Sequence, residues 1–199
     1  MSFFDYAFHH VGCVVRLLRG DPAAFADMDI SADGFWRSFE AIPAALPALI
    51  FAWVAEAQQI RAAGSPDSVG SLIVRMAALE LAFWILPIIV LAIVLRQLRL
   101  GHRFSHLIIA RNWLAVLTSY VFVAAPLFEL AFSGGATSSA SVLITLATMV
   151  LALWFSVSVT RAALSVQPAI AIAFVAVEVF ITYPLAVVAY GAAGLYPPA

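Results

Sequence analysis

Four glutamates stand inside stretches that are otherwise too apolar for a charge: Glu56, Glu80, Glu129 and Glu178. Glu178 lies about ten residues into the last apolar run, near the depth of a membrane midplane. A carboxylate there is costly unless it is protonated, paired or facing water. Glu80 follows Arg75 by five residues in the second apolar run, with Glu129 late in the third and Glu56 late in the first. Glu56, Arg75, Glu80 and Glu129 are therefore expected in one half of the membrane. There they form a buried ion-pair cluster or line a cavity. One reading is a proton or cation site made of Glu178, Glu80, Arg75 and Glu129. The other is structural, with one Arg paired to one Glu and the remaining carboxyls snorkelling or protonated.

Other reactive residue types lack the company that chemistry needs. His102 and His106 have the i, i+4 spacing that places two imidazoles on one metal, but no Glu follows the first His as in zinc proteases. Metal binding at these two residues is the weaker alternative to ordinary interfacial histidines. His9, His10 and Cys13 sit near the N-terminus, and a single cysteine forms no internal disulfide. No serine occupies a Gly-x-Ser-x-Gly elbow, and no phosphate loop ending in Gly-Lys exists because the chain has no Lys. No catalytic residue or cofactor is expected, and the chain reads as non-enzymatic.

The elements that position these residues follow from composition. The chain of 199 residues is 64% hydrophobic and 11% charged, with a mean hydropathy of +1.04. A soluble domain carries about 25% charge and about 45–50% apolar residues. The polar surface left over does not coat a water-soluble globule, which points to an integral membrane protein. The expected fold is all-α, a polytopic bundle of five transmembrane helices with an N-terminal amphipathic interfacial helix. The spans fall at about 36–58, 72–95, 107–132, 142–161 and 169–193. Each is long enough to cross roughly 30 Å of hydrocarbon. Trp36 and Trp53 suit the interfaces of the first span, and Ala44, Ala48 and Ala52 offer a small-residue stripe to a neighbour. Pro43, Pro47, Pro87, Pro126 and Pro184 interrupt the spans.

Residues 1–34 precede the bundle of residues 35–199. Phe4, Phe8, Val11, Val15 and Leu18 recur at helical spacing, so residues 3–19 lie in the headgroup layer or pack on the bundle itself. Residues 21–34 hold Asp21, Asp27, Asp29 and Asp33 without a basic residue and read as a solvated linker. No basic leader precedes an apolar core, so no cleavable signal peptide is expected.

Orientation comes from arginine. Arg96, Arg99, Arg103 and Arg111 form a basic loop between the second and third spans, joined on that side by Arg16, Arg19, Arg37 and Arg161. Only Arg61 and Arg75 fall on the other side. The positive-inside bias places the N-terminus in the cytoplasm and, after five spans, the C-terminus in the periplasm. All-Arg basic usage fits a bacterial inner membrane protein. Net charge is −1, so nucleic acid is not an expected partner; membrane lipids and a protein partner or second copy are.

The order of parts, with Asp33-Gly-Phe-Trp36 leading into the first span, a short basic loop after the second, Asn112-Trp113 and Arg161-Ala-Ala-Leu164, resembles the Yip1-type five-helix membrane proteins and their bacterial relatives. Eukaryotic members carry Asp-Leu-Tyr-Gly-Pro before the first span; this chain keeps an Asp, the Gly and the Phe-Trp that follows. The resemblance implies an N-cytoplasmic protein acting as a scaffold or by membrane organisation. The alternatives are a small transporter or channel using an intramembrane Glu, or an accessory subunit of a larger complex.

Overall fold

The computed structural model describes residues 2–196, and these form an all-α bundle. Helices α1 (Phe3–Leu18), α2 (Ala32–Arg37), α3 (Ala41–Ala62), α4 (Val69–Gln97), α5 (Phe104–Phe122), α6 (Ala124–Phe132), α7 (Ser139–Leu164) and α8 (Pro168–Ala192) follow one another along the chain. Five segments are long and apolar enough to cross a membrane: Ala32–Ala62, Val69–Gln97, Gly101–Phe132, Ser139–Leu164 and Pro168–Ala192. The first four outrun their expected bounds by a few residues because polar caps lie beyond the apolar run, and the fifth is shifted by one residue. Ser68 accepts from the Ser71 amide, and Ser138 forms a reciprocal capping box with Ser141.

Helix α5 is central. It packs on α3 and α7, while α4 lies on α3 and α8 on α7. The row α4–α3–α5–α7–α8 curls around α5, so its two end helices face each other without closing. Pro43 sits in the first turn of α3; it cannot donate to the Phe39 carbonyl, and the first span breaks there into α2, a tight turn at Ser38–Glu40 and α3. Pro126 acts in the same way. It cannot donate to the Phe122 carbonyl, and the third span divides there into α5 and α6.

Two details of the first span differ from expectation. Its buried alanines are Ala41, Ala45, Ala48 and Ala57, a stripe turned slightly from the one anticipated. Trp53 is not an interface anchor but packs in a core with Leu72 and Met76; Trp36 is 71% exposed.

The N-terminal segment belongs to the bundle. Helix α1 starts at a capping box between Ser2 and Asp5 and ends before Gly20, whose φ of +85° suits glycine. It buries Tyr6, His10, Cys13, Val14 and Leu17 against α5 and α7. The buried stripe is therefore not the expected one: Phe4 and Phe8 point outward at 69% and 76% exposure. The Tyr6 and His10 rings stack on the fully buried Trp113, and the Arg37 guanidinium lies 3.7 Å over the Tyr6 ring.

Residues 21–34 are also more structured than a solvated linker. Asp21 caps a short turn over Pro22–Asp27, and Arg16 of α1 pairs with Asp21 and Asp27. The missing basic partner for these acids comes from the neighbouring helix. Ala24 and Met28 are buried beneath them. The chain then turns into α2, which brings Gly34 against Asp29, where an added Cβ would sit 2.0 Å from the Asp29 carbonyl oxygen. That atom is backbone and has nowhere to go. Gly34→Ala should destabilise the protein by about 2 kcal/mol and loosen α1, an overpacking effect. Chemical unfolding and the accessibility of the buried Cys13 to a thiol reagent would both register it.

Burial of His10 makes this docking sensitive to pH. Its Nδ1 donates to the Tyr6 carbonyl at 2.9 Å, while Nε2 is buried without a partner among the described residues. Desolvation pushes its pKa below the ordinary 6.5; the Tyr6 hydrogen bond and Asp29 act weakly the other way, and His9 and Arg37 add to the depression. A folded value below the unfolded one means that the unfolded chain takes up the proton first. The stabilisation is therefore complete above about 6.5 and lost progressively as pH falls below it. Cys13 labelling by a disulfide reagent active in acid, scaled to the unfolded chain, should rise below that pH. His10→Phe should flatten the response.

Candidate functional site

The site grows from two neighbouring residues of α5. Arg111 lies roughly 10 Å along α5 and Glu178 roughly 15 Å along α8, both measured from the same end of the bundle. The Arg side chain spans the difference. Its Nη2 contacts both carboxylate oxygens, at 2.6 Å to Oε1 and 2.7 Å to Oε2. Both side chains are mostly buried, at 22% and 19% exposure. Arg111 is thus no part of a cytosolic loop. Helix α5 begins at Phe104, which carries Arg111 two turns inward to the one carboxylate that matches it.

Asn112, the next residue, turns to the other side. Its Oδ1 accepts from Trp84 Nε1 at 3.0 Å and its Nδ2 donates to Ser38 Oγ at 2.8 Å. Ser38 in turn donates to the Phe35 carbonyl at 2.7 Å. A buried amide with both ends satisfied ties the first, second and third spans together. Trp113 completes the triplet by supporting α1.

Between these groups lies a cavity of about 210 Å³ lined by Glu80, Trp84, Arg111, Asn112, Ala115 and Glu178, among others. Glu80 has no ion-pair or hydrogen-bond partner among the described residues. The cavity shares Phe83, Pro87, Leu91 and Glu178 with an apolar groove of about 420 Å³ between α4 and α8.

The other anticipated residues go elsewhere. Arg75 does not meet Glu80; it forms a two-bond pair with Asp67 at 2.8 and 3.0 Å and donates to the Ala193 carbonyl at 3.1 Å. A cation at the C-terminal end of α8 suits the helix dipole. Glu129, 8% exposed, accepts from Gln59 at 2.8 Å. Glu56 and Glu80 lie within electrostatic reach of each other, so two of the four outer residues stay near one another. His102 sits in the tight turn Gly101–Arg103 before α5 starts, while His106 lies within α5 against Phe25. The two are therefore not one turn apart on a single helix, and among the described residues no three metal-ligating side chains converge. Arg96, in the last turn of α4, and Arg99, just beyond it, remain exposed, with Arg103 in the turn that follows.

Sequence reading did not find the Arg111–Glu178 pair or the Asn112 hub. The available signal was that Arg111 already fell inside the expected third span, on the same side of the midplane from which Glu178 is reached in the fifth. What fold and site define is a multi-pass helical membrane bundle with a mostly buried ion pair and a polar cavity held within its spans. Comparison with protein-family models, curated proteins and solved structures finds no match.

Proposed function

We propose that this is a non-enzymatic membrane protein that acts by interaction, as a scaffold of Yip1-like type in a bacterial inner membrane. What carries the reading is one face of the bundle. Phe4, Phe8 and Trp36 are strongly exposed there, beside the ends of the helices that carry Arg19, Arg37, Arg96, Arg99 and Arg161. Aromatics ringed by arginine suit a headgroup layer or the rim of a partner. With Arg111 drawn into the spans, Arg16 and Arg103 still join that face, against Arg61 and Arg75 at the other end. The bias favours a cytoplasmic N-terminus and a periplasmic C-terminus.

The distribution of the buried charges supports the same reading. Glu178, Glu129 and Arg75 each have a different local partner, which favours structural neutralisation over a relay. A photo-crosslinking residue at Trp36, which is 71% exposed, tests it in living cells. Adducts to a discrete protein, lost when residues 2–20 are deleted, are expected; adducts to lipid alone would contradict a scaffold.

A second reading, a proton or cation site, is favoured by Glu80 lining the same cavity as Glu178. It requires Glu178→Gln to abolish flux with the fold intact.

A further inference from the structure

We infer that the groove between α4 and α8 and the cavity behind it form one binding site for a single-chain amphiphile with an uncharged, carbonyl-bearing head, an isoprenoid quinone. The two spaces are continuous through Phe83, Pro87, Leu91 and Glu178. The groove runs for roughly 22 Å along both helices, from Phe83 to Leu98 and from Ile170 to Leu185. Apart from Glu178 and Thr182 its walls are apolar, which suits a long hydrocarbon tail.

The cavity sets the head. Arg111 spends Nη2 on Glu178, and its Nη1 is buried with no partner among the described residues. A charged donor left unsatisfied in a low-dielectric site is expensive, and an acceptor oxygen from a ligand relieves it. Glu80 supplies a second polar wall, and Phe83 and Trp84 supply ring faces for a planar group.

Three competing occupants fit less well. An anionic head would meet two carboxyl groups against one guanidinium that is already paired. A phospholipid head belongs at the interface, whereas Arg111 lies roughly 10 Å further in. A helix from a second copy could fill the groove, but its backbone carbonyls are engaged in its own hydrogen bonds and would leave Nη1 bare.

The test uses the full chain in phosphatidylcholine nanodiscs, with decylubiquinone as probe and intrinsic tryptophan quenching as readout, since Trp84 lines the cavity. Saturable quenching is expected in wild type, and decylbenzene, which has no carbonyl, should not displace the quinone. Arg111→Lys keeps the charge opposite Glu178 but removes Nη1, and should weaken binding about tenfold. Val90→Phe with Val177→Phe fills the groove from its lipid-exposed side and leaves every polar group in place; it should weaken binding at least as much. Should the lysine variant fail to fold, the groove variant decides alone. Quenching that only tracks probe partitioning, or binding unchanged in a folded variant, overturns the assignment. So does displacement of the probe by added phosphatidylglycerol, or a wild-type dimer that the groove variant splits.

Discussion

Replacing Arg111 by Leu should lower the unfolding free energy by about 3 kcal/mol, and replacing Glu178 by Leu in the same chain should restore most of it. The single change leaves the Glu178 carboxylate between α5 and α8 without its cation, at a depth where hydration cannot compensate. The double change removes both charges and leaves apolar side chains of similar size in an apolar setting. A buried pair contributes little net stability over such a replacement, but half a pair is strongly unfavourable. Unfolding in mixed micelles of all four chains gives the coupling energy directly. A loss in the double variant equal to the sum of the two single losses would mean that the two residues do not depend on each other.

Trp113→Ala should have an effect of similar or greater size, about 3–5 kcal/mol. The indole is fully buried and touches both rings that α1 inserts, with centroids 5.7 Å from Tyr6 and 5.2 Å from His10. Truncation opens a cavity where the amino-terminal helix meets the central one, so α1 should come loose before the spans do. Cys13 should then react as in an unfolded chain while helical content stays near that of wild type. Trp113→Phe should be much milder, because the indole N–H has no partner among the described residues and only area is lost. A parallel loss of all helical signal would show instead that α1 and the spans unfold as one unit.

Hydropathy made the spans readable. Apolar runs of this length admit one backbone solution in lipid, so the five segments could be placed to within a few residues. Their ends were less legible, because Ser68 and Ser138 cap helices from positions that read as loop. The face of α1 was misassigned for a different reason. Phe4 and Phe8 are the most apolar residues of the segment, but Tyr6 and His10 are the ones that fit against Trp113. Hydrophobicity ranks side chains for burial, while shape decides which of two adjacent stripes meets a given partner. The ion pair was hidden by the arginine count itself. Arg111 had been assigned to the basic loop, and a residue assigned to water is not sought as a partner for Glu178. Pairings between helices far apart in the chain depend on rotation about each axis, which short apolar helices do not reveal.

Flux measured in proteoliposomes under an imposed pH gradient and membrane potential tests most directly whether the buried charges are structural. Wild-type protein and Glu178→Gln should both leak protons and monovalent cations no faster than protein-free vesicles, with Glu80→Gln behaving alike. Transport by the wild type that disappears in a correctly folded Glu178→Gln would contradict this and make the pair part of a conducting path.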